Sequence, residues 1–198
     1  MEPSFFDRHP KLKDAINLGV FLILVGLGTI IINTFVFRSF SVQGPSMETT
    51  LYTGDRLIVN RLPVTWAQIQ NKEYVPERGQ IIVFKNPRHI AGRPDEYVVK
   101  RVIAFPGERV VVGDGSIIVY NDEHPEGFKP DDTLEGPGSP TSGENETVVP
   151  EETLYVVGDH RQGDYSCDSR VCMGTIPYFD VVGPVSVRIF PFTKFNFY

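Results

Sequence analysis

Three places in this chain hold residues whose types and spacing could do chemistry. The first is Ser46, in SVQGPSMETTLYTGDRLIVN, behind Gly44 and Pro45. A serine hydroxyl is a poor nucleophile, so it needs an adjacent base and donors for a developing oxyanion. Gly44 would let a substrate carbonyl approach the backbone, and backbone N–H groups could then act as donors. The second is Lys100, in DEYVVKRVIAFPGERV. If that run is a strand, Val98, Lys100, Val102 and Ala104 share one face, and Val99, Arg101, Ile103 and Phe105 share the other. An exposed lysine titrates near ~10.4 and is useless as a base at neutral pH. Among apolar side chains the charged form is costly, and a fall of ~2 units raises the neutral fraction on the order of a hundredfold. The third is VVGDHRQGDYSCDSRVCMG, residues 156–174. There Asp168 and Arg170 could form a supporting ion pair, and Ser166 or Ser169 could orient an amine. Each place also has a plain reading: a turn serine, a snorkelling strand lysine, and a charged surface loop.

The elements that must position these residues are mostly strands. Runs at 56–60, 80–85, 97–105, 109–112, 116–120, 153–157 and 181–190 are rich in Val, Ile, Phe and Tyr, and most are bounded by Gly, Pro or Asp. GERVVVGDGSIIVYND reads as a hairpin turning at Gly113-Asp114-Gly115. Only 65–72 hints at a helical turn. Such short, punctuated strands predict a mainly β domain, an antiparallel β-sandwich or open barrel. Residues 122–152 carry ten acidic side chains and one basic one, among Pro, Gly and Ser. That composition predicts a solvated or poorly ordered acidic insertion with little to bury. Asn145-Glu146-Thr147 matches a glycosylation sequon, a triplet too common by chance to carry weight.

Residues 15–37, AINLGVFLILVGLGTIIINTFVF, contain no charge and are long enough to cross a bilayer as one transmembrane helix. The run is too long for the apolar region of a cleaved leader, and no small-x-small site follows before Arg38. Arg8, Lys11 and Lys13 precede it, and only Arg38 closely follows. Positive flanks stay in the cytoplasm, so residues 1–14 are expected inside and residues 38–198 outside the plasma membrane. The net charge of −6 comes from the insertion, which contributes −9 and leaves about +3 elsewhere. No basic stripe points to nucleic acid. Four scattered His and two Cys offer no metal-site spacing, so neither a metal nor another cofactor is expected. Cys167 and Cys172 could pair in an oxidising compartment or stand as two separate small side chains.

Taken in order, GPSMETTL, ERGQIIVFKNP, DEYVVKRVIAFPGERV and GDHRQGDYSCDSR, behind a single anchor, resemble the bacterial type I signal peptidases. The resemblance covers most of the chain outside the acidic insertion. It implies a Ser–Lys dyad, with Ser46 as nucleophile, Lys100 as general base and the Ser46 N–H as an oxyanion donor. Ser166 would match the serine that hydrogen-bonds the lysine amine, with Asp168, Ser169 and Arg170 supporting the site. The chain departs from the family pattern at five points. Gly44 stands where some members carry a second oxyanion donor, Thr49 where proline is usual, and Gln80 where aspartate is usual. His160 replaces asparagine, and two extra residues lie between Arg161 and Ser166.

The activity so implied is removal of signal peptides from exported preproteins after small residues, in Ala-x-Ala-type sites, near the export channel. An extended substrate would pair beside the site, with Phe40, Val42, Gln43, Tyr97 and Val98 as candidate strand partners. A specialised Ser–Lys processing peptidase, of pilin or organelle type, is the nearest alternative. A catalytically inert anchored β-domain that binds exported chains is the alternative outside enzymes.

Overall fold

Alternating apolar residues in short runs become strands because each run can bury one face, and here the runs pair antiparallel throughout. The computed structural model describes residues 9–88 and 96–198. Helix α1, Pro10–Ile31, passes into a π-helical turn, Ile32–Val36. Strand β1, Phe37–Ser41, follows directly and pairs with β2, Arg56–Asn60. Short helix α2, Leu62–Ile69, precedes β3, Ile81–Lys85, and β4, Tyr97–Ala104. After β4 come β5, Arg109–Gly113, β6, Ser116–Tyr120, and β7, Asn145–Val148. The remaining strands are β8, Thr153–Val157; β9, Ile176–Pro177; β10, Val181–Phe190; and β11, Asn196–Phe197.

The large sheet runs β1-β2-β10-β3-β4-β8-β9, with β11 added on β10. It curls until the start of β4 faces β1. The Phe40 and Tyr97 rings lie 5.1 Å apart, and Arg38 Nη1 donates to the Tyr97 hydroxyl at 3.0 Å. A second sheet, β6-β5-β7, packs Val110, Val112, Ile117 and Val119 against Ile103, Tyr155 and Val157 of the large sheet. The hairpin between β5 and β6 turns at Asp114-Gly115, both with positive φ (47° and 74°), the geometry a two-residue hairpin loop favours.

All seven expected strands form within a residue of their predicted bounds, and the mainly β class forms as well. The helix forms earlier than its expected 65–72 span. Pro63 starts it, since proline lacks the N–H that a first turn leaves unpaired, and Asn60 Oδ1 accepts the Leu62 N–H. The apolar helix likewise begins before residue 15, at Pro10, and most of the expected N-terminal tail lies outside the described residues. From Lys11 to Val36 it forms one apolar helical span of 26 residues with no buried residue in its most apolar stretch. At 1.5 Å per residue that is about 39 Å, more than a hydrocarbon core.

The acidic segment differs most from its expected form. Residues 145–148 form β7 on the edge of β5, Phe128 bridges Val119, and Pro130, Thr141 and Val149 are buried. Its acids are set on the rim, while its few apolar residues seal the second sheet. Asn145, first residue of the sequon, donates to the Arg170 carbonyl at 3.1 Å. Cys167 and Cys172 form a disulfide, with Cα atoms 5.4 Å apart.

Candidate active site

Ser46 sits on the connection between β1 and β2, in a compact turn pinned by the apolar residues on its C-terminal side. Met47 and Leu51 are fully buried beside Val42, Leu57 and Val59, and the Leu51 N–H donates to the Met47 carbonyl at 2.8 Å. Gly44 has φ +86° with open space where a Cβ would be, so it is the backbone turn, not crowding, that favours glycine. The turn leaves the Ser46 hydroxyl at the floor of a cleft of about 410 Å³.

Lys100 reaches the same floor from β4, and its Nζ lies 2.6 Å from Ser46 Oγ. The lysine is only 2% exposed. Burial is the main influence on its amine and lowers its pKa from 10.5 to about 8. Asp168 pulls it up, Arg170 pushes it down and Asp159 pulls it up, all more weakly than burial. The expected alternation holds only in part. A register shift between Val102 and Ala104 sends Val102 into one cluster and Ala104 into the cluster around Ile103.

Arg101, on the other face, is buried and ion-paired to Asp159, with Nε–Oδ1 2.7 Å and Nη2–Oδ2 2.5 Å. Asp159 also accepts from Thr50 Oγ1, so the pair clamps the far end of the nucleophile turn. Asp159, Thr50 and Gly158 are site residues the sequence reading missed. The GD of VVGDHR was visible, but nothing in one sequence marks which aspartate Arg101 meets. Gly158 is required by packing. A Cβ there would overlap both Ser166 Oγ and the Ser46 carbonyl.

Asp168 forms a buried hub. It accepts from Ser166 Oγ (2.6 Å), the Gly158 N–H (2.9 Å), the Arg170 N–H (3.1 Å), and Arg170 Nε and Nη2 (3.0 and 2.8 Å). Burial alone would raise its pKa, but these donors and the guanidinium hold it below the ordinary carboxylate value. The expected Ser166–Lys100 hydrogen bond is absent among the described residues; the Ser166 hydroxyl donates to the Asp168 carboxylate at 2.6 Å. Ser169 Oγ donates to the Gly174 carbonyl and accepts from the Val156 N–H, tying the loop to β8. His160 keeps contact with the nucleophile turn. Its N–H donates to the Ser46 carbonyl at 3.1 Å, and its Nδ1 lies 3.1 Å from the Pro45 carbonyl.

Phe40, Val42, Gln43, Tyr97 and Val98 all line the cleft. Their backbones are not equivalent. The Val42 N–H and carbonyl are both engaged, with Asp55 and Gly54, whereas no described residue hydrogen-bonds the Gln43 backbone. On β4, residues 97–100 pair with β3 on one side, and β8 begins to pair only at Arg101. Among the described residues, Gln43 and the β8-facing side of residues 98–100 thus offer two backbone edges without a strand partner beside Ser46 and Lys100. No described acceptor takes the Ser46 N–H.

Several known proteins resemble this chain. Signal peptidase IB of Staphylococcus aureus (strain MRSA252) is 30% identical over 178 residues, spanning 84% of this chain and 85% of that protein. Signal peptidase I P of Bacillus subtilis subsp. natto is 28% identical over 199 residues, spanning 96% and 97%. Among solved structures, a signal peptidase I from Enterococcus faecalis V583 is similar at 25% identity, over 57% of this chain and 97% of that one, with a TM-score of 0.39. The family described as signal peptidase, peptidase S26, matches residues 14–190, and the chain belongs to that family.

Proposed function

We propose that Ser46 and Lys100 are the nucleophile and general base with which this signal-peptide-cleaving serine peptidase acts. The observation that carries the reading is the 2.6 Å separation of Ser46 Oγ and a buried Lys100 amine whose pKa is about 8. A neutral amine takes the hydroxyl proton as Oγ attacks the scissile carbonyl. The ammonium then protonates the leaving amine, and the neutral amine again activates water to release the acyl group. The Ser46 N–H, which no acceptor among the described residues takes, faces the developing oxyanion as one donor. Asp159 with Arg101, and Asp168 with Ser166 and Arg170, hold the two sides of the dyad in place.

The substrate enters as an extended strand in the slot between β1 and β4, passing Phe40, Val42 and Tyr97 and pairing with the Gln43 backbone and the edge at 98–100. Shallow walls from Phe40, Val42, Leu57, Val83 and Val99 admit small side chains before the scissile bond, in Ala-x-Ala-type sites. Helix α1 anchors the chain in the plasma membrane with its N-terminus in the cytoplasm. Ser46 lies nine positions beyond Phe37, which keeps the nucleophile within ~30 Å of the bilayer, where signal peptides emerge beside the export channel.

The test is cleavage of a preprotein carrying an Ala-x-Ala site by the full chain in detergent or liposomes, beside Ser46→Ala and Lys100→Met. Wild type is expected to cut at that site and both variants to be inactive. Activity retained by Lys100→Met would remove the lysine from the mechanism.

A further inference from the structure

The chain has one tryptophan, and it stands outside the core. Trp66 is 65% exposed, on α2, with Leu62 at 48% and Ile69 at 68%. At 100° per residue these three positions fall within about 60° of the helix circumference, a single stripe along α2. Val64, on the opposite face, is buried and joins the helix to the domain. Helix α2 is thus apolar on both faces, and only one of them has a partner among the described residues. A short helix does not present Trp, Leu and Ile to water without cost, at about 25 cal/mol per Å² of apolar surface.

The attachment of α2 identifies what covers the other face. Thr65 Oγ1 donates to the Phe35 carbonyl at 2.9 Å, and the Arg61 N–H donates to the Val36 carbonyl at 2.8 Å. Both acceptors belong to the π-helical turn that ends the apolar span. Helix α2 is therefore fixed at the level where the chain leaves the hydrocarbon, beside Phe35 and Phe37, themselves exposed. Tryptophan is the residue most suited to that depth, since its ring is apolar and its N–H can meet headgroups.

We infer that α2 is a second membrane contact, lying in the headgroup layer with Leu62, Trp66 and Ile69 turned into the lipid, on the leaflet where α1 emerges. This rests on the reading of α1 as the bilayer anchor. One helix alone leaves the domain free to rotate and tilt about residues 36–38. Two contacts joined by the Thr65 and Arg61 hydrogen bonds fix that tilt, and with it the height and direction of the cleft over the membrane. A lipid-embedded signal peptide then meets a cleft already oriented toward it, whereas a short soluble peptide gains nothing from α2.

Trp66 is its own probe. The full chain is reconstituted in liposomes, and tryptophan emission is read with lipids brominated near the headgroup or deep in the acyl chains, and with aqueous iodide. Flotation of the vesicles after alkaline washing reports integration through α1 independently. Emission blue-shifted from that of the urea-unfolded chain, quenched most by shallow bromines and protected from iodide, is the expected result. A floating chain whose Trp66 is fully open to iodide overturns the α2 contact and leaves the anchor standing. A chain that does not float removes both. As a functional arm, L62E/I69E alters only exposed positions. It is expected to lower kcat/KM on a vesicle-embedded preprotein about tenfold, roughly the loss of two partly inserted side chains, and to leave cleavage of a short peptide in detergent unchanged. Equal loss on both substrates, or none on either, contradicts the assignment.

Discussion

Replacing Lys100 by methionine should make this protein more stable at neutral pH while abolishing its activity. The side chain is 2% exposed and its pKa falls from 10.5 to about 8, chiefly through burial. The folded state therefore disfavours the ammonium. Below pH 8 both states hold the proton, and the folded state carries the full cost of a buried charge. Between about pH 8 and 10.5 the unfolded state holds more protons, so wild-type stability rises with pH across that window. A shift of about 2.5 units corresponds to about 3 kcal/mol. Lys100→Met keeps the volume and lacks the charge, so its stability curve lacks that rise. The advantage of the variant over wild type should be larger at pH 7 than at pH 10.5 by about 3 kcal/mol, which is roughly 6–12 °C in Tm for a chain of this size. Thermal unfolding of both full chains in the same detergent, followed by near-ultraviolet circular dichroism at the two pH values, measures the difference. Alkaline effects common to both chains cancel in it. Wild-type cleavage should rise about tenfold between pH 7 and 9, as the neutral fraction goes from about 9% to about 91%. A stability gap that does not change with pH would refute the argument that burial is what makes this lysine a base.

Asp168→Asn removes the strongest influence raising the Lys100 pKa, so the alkaline rise in kcat/KM should move to lower pH even as the maximum falls; a pH–rate profile decides this. Arg101→Met strands the fully buried Asp159 without its guanidinium and should cost ~3–5 kcal/mol in chemical denaturation. Gly158→Ala forces a methyl group between Ser166 and the Ser46 carbonyl; the expected cost is ~1–3 kcal/mol, with kcat reduced more than KM is raised. Replacing Cys167 and Cys172 together by serine opens the short loop that holds Asp168 to Arg170. It should lower stability by about 2 kcal/mol, and wild type treated with reductant should match it.

Much of this architecture was legible because its signals are local. The hairpin at Asp114-Gly115 needs two positive φ values and carries residues that tolerate them. The strand bearing Lys100 reads as a strand because Val and Ile crowd its neighbours. What stayed hidden depends on contacts between distant segments. Arg101 beside Lys100 gave no sign that its partner was Asp159, since an ion pair across 58 residues has no spacing rule. The acidic stretch at 122–152 looked unable to pack because so few of its residues are apolar. Yet Phe128, Pro130, Thr141 and Val149 are spaced to cap the second sheet, and Asp131 pairs with the fully buried Arg161. Ser166 is identified by its place in the block, but its bond to Asp168 is not, because the rotamer that aims a hydroxyl is set by the packing of the folded loop.

With Lys100 as the proposed base, its burial also acts as an interlock between folding and proteolysis. In a chain not yet folded, the amine is in water with an ordinary pKa. At pH 7 about 0.03% of it is neutral, against about 9% in the folded protein, a difference of about 300-fold. Ser46 is then a solvated hydroxyl with no fixed base beside it. The protease arms itself only once β4 lies between its neighbours and the turn around Met47 and Leu51 is seated. Its own apolar span is followed within nine residues by Ser39, Ser41 and Gly44, small side chains of the kind this active site selects. A nascent copy is harmless to that stretch, and by the time it is competent, residues 37–41 are locked into β1 and can no longer enter the cleft as a substrate.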